Sequence, residues 1–215
     1  MFLPRSRRLG TAVVFLCAVA AGALAACGGG SSAPADDAHH WSGVVRDPPL
    51  QMGNVTLPDA SAGGKPFTLA ADPGGILLVY FGYTNCPDVC PTTMSEIKRV
   101  RKGLGDDASR VAVAMVTVDP ARDTVAVLST YVGHFFDDAH ALRSDDPAQL
   151  AAATADVGVT VSTRPTSDPA FYTVDHTATL FAVDDAGKVV VEWPFGTSAQ
   201  AIESDVRKIL DQEAR

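Results

Sequence analysis

Ile76-Leu77-Leu78-Val79-Tyr80-Phe81-Gly82-Tyr83-Thr84-Asn85-Cys86-Pro87-Asp88-Val89-Cys90-Pro91 joins an apolar run to a turn that holds two cysteines four residues apart. Six consecutive apolar side chains suit a central strand covered on both faces. Pro91 then opens a segment, Thr92 to Leu104, with Met94, Ile97, Arg101 and Leu104 at helical intervals and Lys98, Arg99 and Lys102 placed late, where they complement the helix dipole. Gly103 and Gly105 are its candidate stops. Two thiols between a buried strand and a helix N-terminus are either a redox couple or a pair of metal ligands. Helical geometry from Cys86 puts both sulfurs on one side, and unsatisfied N–H groups there favour thiolates.

Working outward, the chain reads as strands and helices in alternation. Val55–Leu57 and Phe67–Leu69 alternate as half-buried strands around a Gly63-Gly64-Lys65 turn. Val111–Val118 is a second continuous apolar strand, ended by Asp119-Pro120. Asp123 or Thr124 caps a helix running to about Phe136, and Pro147 opens another through about Val157. Phe171–Val174 and Ala178–Val183 are strand-like, and Asp184–Gly187 turns the latter into Lys188–Trp193. Thr197 with Gln200 has the spacing of a capping box for a last helix whose stripe is Ile202, Val206, Ile209 and Leu210. This order predicts an α/β chain of thioredoxin-like arrangement, a central mixed sheet flanked by helices with an N-terminal strand extension.

The first 26 residues differ in kind. Arg5, Arg7 and Arg8 precede an uncharged run, Thr11–Ala26, of 16 residues. That is shorter than the roughly 20 needed to span a bilayer, so it reads as an export signal. Leu24-Ala25-Ala26-Cys27 has the pattern of a lipoprotein signal, with cleavage before a cysteine that takes lipid. Three segments follow: a lipoprotein signal peptide at 1–26, a lipid-anchored flexible linker at 27–48, and a folded domain at 49–215. The expected location is the outer face of the bacterial cytoplasmic membrane, held by lipidated Cys27. Ser6-Arg7-Arg8-Leu9 leaves the choice between general and twin-arginine export open.

Processing simplifies the cysteine count. Of the four, Cys17 leaves with the signal and Cys27 carries lipid, so Cys86 and Cys90 are the domain's thiols. Losing three arginines moves the formal charge from −8 to about −11. That acidity excludes nucleic acid and anionic lipid as electrostatic partners. His39-His40, in the linker, reads as a solvated pair.

Two thiolates and an imidazole make a trigonal site suited to copper. Three histidines, His134, His140 and His176, are candidates for the third ligand, and their positions alone do not rank His176 first. Asp119 reads either as a strand terminator or as a carboxylate behind the site that tunes cysteine or histidine chemistry. Asp88 reads as solvated, and Phe81 and Tyr83 as core or site wall.

Three motifs in order resemble a known family. Phe81–Pro91 looks like the signature of the Sco/SenC copper proteins, Val118-Asp119-Pro120-Ala121-Arg122-Asp123-Thr124 like its second motif, and Tyr172-Thr173-Val174-Asp175-His176-Thr177 like its third. The resemblance spans about residues 50–211. It implies a thioredoxin-like fold and copper, as Cu(I) or Cu(II), held by Cys86, Cys90 and His176. It also implies delivery of copper to, or redox preparation of, the binuclear copper centre of cytochrome c oxidase subunit II. Two segments depart from the family pattern: Ala141–Asp146 lacks an expected glycine, and Asp168–Phe171 is variable. The resulting reading is a membrane-anchored metallochaperone rather than an enzyme. Its rivals are a thiol-disulfide oxidoreductase using Cys86 and Cys90 as a redox pair, and a peroxiredoxin-like peroxidase supported by fold alone.

Overall fold

A computed structural model of the chain describes residues 40–168 and 172–213. Cys17, Cys27, His39, Phe171 and the signal segment lie outside them. Among the described residues, nine strands and four α-helices follow in chain order: β1 Thr56–Asp59, β2 Lys65–Thr68, β3 Ile76–Gly82, α1 Val89–Leu104, β4 Val111–Thr117, α2 Val125–Gly133, β5 His140–Leu142, α3 Pro147–Ala155, β6 Val161–Pro165, β7 Tyr172–His176, β8 Thr179–Val183, β9 Val189–Pro194 and α4 Ala199–Glu213. Seven strands form one mixed sheet in the order β2-β1-β5-β4-β3-β8-β9. β3, β4 and β5 run parallel, while β8 and β9 add antiparallel on one side and β1 and β2 on the other. This is the thioredoxin-like mixed sheet with an N-terminal hairpin at one edge.

The unbroken apolar run of β3 is explained by its neighbours. Ile76, Leu78 and Tyr80 pack with the stripe of α1 (Met94, Ile97, Val100) and that of α4 (Ile202, Val206, Ile209). Leu77, Val79 and Phe81 face the other way, onto Leu57, Leu69 and Ala153 of α3. Every β3 residue is buried. A fully buried side chain of this size is worth about 1.5–3 kcal/mol, so β3 anchors the frame on which the cysteines are mounted.

Helix ends depart from the sequence expectations in instructive ways. α1 begins at Val89, not beyond Pro91, because the first N–H groups of a helix have no internal acceptor and proline there forfeits nothing. It runs through Gly103 and stops at Gly105, whose φ of 62° suits a residue without a Cβ. Thr124 alone caps α2, accepting from the Val127 N–H. The expected Thr197/Gln200 capping box does not form. Ser198 Oγ accepts from the Ala201 N–H, while Thr197 donates to the Pro194 carbonyl.

Composition places residues up to 48 in the linker, yet part of that segment lies on the domain. Ser42 and Gly43 donate their N–H groups to buried Asp205 of α4, Trp41 packs against the core, and Val44 pairs with Glu192. Among the described residues no helix is long and apolar enough to cross a membrane.

Candidate metal centre

The two cysteines sit where β3 hands over to α1. Cys90 lies in the first turn of α1 and is fully buried, whereas Cys86 precedes the helix and is half-exposed; both are free thiols. Asp88, the residue before the helix, makes no side-chain cap. Instead the Cys90 N–H donates to Cys86 Sγ at 3.3 Å, so a sulfur satisfies one of the helix's orphan donors. Gly82 keeps the space clear: a Cβ there would stand 2.6 Å from the Tyr80 ring and 3.2 Å from Cys90 Sγ.

His176 comes to the same place from the end of β7. Its Nε2 is 3.6 Å from Cys90 Sγ, and its Nδ1 is 3.1 Å from the Thr177 carbonyl oxygen. A carbonyl can only accept, so Nδ1 carries the proton and Nε2 turns its lone pair toward the sulfur. The rings of Tyr80 and Tyr83 meet the imidazole edge-on, with centroids 6.1 and 5.9 Å away. Burial lowers the His176 pKa against a smaller opposing effect of the Thr177 hydrogen bond, which keeps the ring neutral and able to ligate.

Cys90 reverses the expectation from helix position. Burial pushes its thiol up to about 12, outweighing the hydrogen bonds that favour the thiolate. Tyr80 O–H donates to Cys90 Sγ at 3.5 Å, and burial raises the tyrosine's own pKa as well. The resting arrangement is thus a chain of donors, from Tyr80 O–H to the Cys90 thiol to His176 Nε2. Among the described residues no three His, Cys, Asp or Glu side chains form a closed metal site. Cys86 nonetheless lines one open cleft with His176, Tyr83 and Val174.

The second motif supports this site from behind. Asp119 is buried and accepts from Tyr172 O–H at 2.6 Å, pairs with Arg122, and donates its N–H to Thr117 Oγ1 at 3.0 Å. None of these bonds runs to Cys86, Cys90 or His176. Asp123, which sequence reasoning treats as a cap, is fully buried instead. It accepts from the Thr84 N–H at 3.1 Å, from Thr84 Oγ1 at 2.6 Å and from Thr117 Oγ1 at 2.6 Å. It therefore ties the turn two residues before Cys86 to the end of β4. A signal for this existed: Asp123-Thr124 offers two caps for one helix, so one was surplus.

The other candidates lie apart. His140 Nδ1 is 2.8 Å from Asp59 on β1, and its ring stacks on Phe67. His134 is exposed just after α2, and Asp88 is exposed with Thr92 Oγ1 donating to it. Of the three histidines, only His176 has a hydrogen bond to either cysteine among the described residues.

Comparisons with known proteins agree with this architecture. A family profile described as SCO1/SenC matches residues 57–211. The mitochondrial protein SCO2 homolog of Mus musculus is 30% identical over 167 residues, covering 77% of this chain and 64% of that protein. The chain spans slightly less than two thirds of the length of the first curated relatives it matches. The structure of Bradyrhizobium japonicum ScoI with copper bound is 34% identical, with a TM-score of 0.62 over 72% of this chain and 96% of that one. BsSco, described as a member of the Sco family of cytochrome c oxidase assembly proteins with a disulfide switch, shares the fold at 20% identity and a TM-score of 0.59, over 76% and 95% of the two chains. With its profile matched across most of its length, the chain belongs to the SCO1/SenC family.

Proposed function

We propose that this chain is a copper metallochaperone in which Cys86, Cys90 and His176 hold the metal as cargo and pass it to an acceptor protein of cytochrome c oxidase assembly. The observation that carries the reading is the approach of His176 Nε2 to Cys90 Sγ at 3.6 Å with Nδ1 committed to the Thr177 carbonyl. Two soft sulfurs and one neutral imidazole favour Cu(I) and also accommodate Cu(II). A three-coordinate ion beside an open cleft can exchange ligands one at a time with an acceptor. The copper bound to ScoI of Bradyrhizobium japonicum and the assembly role ascribed to the family of BsSco support the cargo and its destination. The binuclear copper centre of oxidase subunit II is the acceptor we assign. Cys27 is the lipid anchor we assign, placing the domain outside the cytoplasmic membrane. Palmitate labelling that survives Cys27→Ala would refute the anchor.

The site is tested by anaerobic titration of the soluble domain with Cu(I) and with Cu(II), repeated with His176→Ala and Cys90→Ser. Tight binding by the native domain, weakened by the first variant and abolished by the second, is expected. Unchanged affinity in either variant refutes the ligand set.

A second reading rests on the unequal exposure of the thiols. Half-exposed Cys86, after losing its proton to solvent, can attack a partner disulfide as the thiolate, forming a mixed disulfide and releasing one partner thiolate. Cys90 then gives its proton to His176 Nε2 and attacks the Cys86 sulfur, releasing the second partner thiolate and leaving a Cys86–Cys90 disulfide. Rapid, stoichiometric reduction of an acceptor-peptide disulfide by the metal-free domain would favour this reading.

A further inference from the structure

The hairpin that carries His176 is held differently from the rest of the fold. Among the described residues, β6 and β7 pair only with each other, in register from Val161↔His176 to Pro165↔Tyr172, and join no strand of the main sheet. Every β6 residue is exposed, and in β7 only Val174 is buried. Buried Val174 and half-buried Tyr172 pack against the core, and these two apolar contacts do not by themselves fix an imidazole to within a fraction of an ångström. A polar cluster at the opposite end of β7 supplies the missing constraint. Tyr172 O–H donates to Asp119 Oδ1 at 2.6 Å, and Arg122 Nη1 donates to the Tyr172 carbonyl at 2.9 Å. The Arg122 guanidinium lies 3.8 Å from the centre of the Tyr172 ring and pairs through Nε with Asp119. Its Nη2 is buried without a hydrogen-bond partner, which leaves the ring face to compensate it.

Asp119 is itself bolted to the frame, being 4% exposed and bonded through its N–H to Thr117 at the end of β4. Arg122 also lies 5.7 Å from the centre of the Tyr83 ring, which stands edge-on to His176. The cluster thus grips the hairpin at Tyr172 and flanks the aromatic wall against which the imidazole rests.

We propose that Asp119, Arg122 and Tyr172 form a clasp that positions His176 for the metal; this rests on the copper reading above. They are positioning residues, since none has a hydrogen bond to Cys86, Cys90 or His176. Without the clasp the hairpin keeps its own pairing but loses its seat against the core, and Nε2 drifts from Cys90 Sγ. Cys86, in the turn between β3 and α1, and Cys90, in the first turn of α1, stay where they are.

The test is a double-mutant cycle on the copper dissociation rate of the loaded domain. Tyr172→Phe removes one O–H and keeps the ring; Arg122→Met removes the guanidinium; Arg122→Lys keeps the charge and restores part of the effect. We expect copper to leave about three- to tenfold faster in Tyr172→Phe and at least tenfold faster in Arg122→Met. Electron paramagnetic resonance of the Cu(II) form should show weakened nitrogen coupling in both. In a His176→Ala background the same substitutions should change nothing further, because the clasp acts through that residue. Equal loss in both backgrounds, or native rates and nitrogen coupling in Arg122→Met, overturns the clasp while leaving the ligand set intact. If His176→Ala alone leaves dissociation unchanged, the copper reading fails and the clasp with it.

Discussion

Asp123→Ala should be among the most damaging single changes in the domain, although Asp123 touches neither cysteine. Its carboxylate accepts from the Thr84 N–H, the Thr84 hydroxyl and the Thr117 hydroxyl, with no exposure to water. Each buried donor left without an acceptor costs about 1–3 kcal/mol. The two hydroxyls can rotate, and Thr117 Oγ1 keeps its bond from the Asp119 N–H, so the backbone N–H of Thr84 bears most of the loss. Abolishing the burial of a carboxylate returns part of it. The net cost is about 3 kcal/mol, which for a domain of this size lowers the melting temperature by on the order of 10 °C.

The pH dependence of that cost has a definite sign. Burial raises the Asp123 pKa above its ordinary value, against the opposing pull of its three donors. A raised carboxyl pKa contributes stability that is full below the unfolded value and is lost as pH rises through the folded one. The gap between native protein and Asp123→Ala should therefore be widest near pH 4 and narrow toward neutrality. Urea unfolding at a series of pH values measures it. A variant within about 0.5 kcal/mol of the native domain, or a gap that widens with pH, would refute the reasoning.

Copper loading should itself depend on pH. Because burial holds the Cys90 thiol up at about 12, binding must expel its proton, and apparent affinity should rise about tenfold per pH unit between pH 7 and 9 from this group alone; a flat profile in anaerobic chelator competition would exclude Cys90 as a ligand. Gly82→Ala places a methyl 2.6 Å from the Tyr80 ring and 3.2 Å from Cys90 Sγ. Copper affinity should fall at least tenfold by the same competition assay, with a smaller loss of stability. Asp205→Ala removes the acceptor for the Ser42 and Gly43 N–H groups and for Trp193 Nε1. It should cost about 2–4 kcal/mol and expose both amides to hydrogen exchange, while copper affinity stays native.

What the sequence made legible follows from how each element is covered. β3 and β4 are sheathed on both faces, so their apolar runs state their role without reference to anything distant. β6 carries the opposite message. All five of its residues are exposed, it has no apolar period, and it is a strand only because β7 pairs with it. β5, three residues long, is too short to show a period at all. The helix starts misled for a related reason. Proline, aspartate and threonine each announce an end without saying which of two neighbours does the work, and burial of Asp123 decides that only in three dimensions.

The same distinction divides the candidate site. Cys86 and Cys90 are local, four residues apart on a strand-to-helix turn, and chemistry alone marked them. His176 lies 86 residues further on, and only the family resemblance raised it above His134 and His140. Its selection is a matter of placement. The clasp partners fix its hairpin from one end, the Thr177 carbonyl fixes its tautomer from the other, and β3 brings Tyr80 to both sulfur and imidazole. On the copper reading proposed above, this histidine would serve as a ligand because three separate segments agree on where its Nε2 points. That agreement requires Asp119 and Arg122 to belong to the site as much as the cysteines do, even though neither carries an atom that copper would touch.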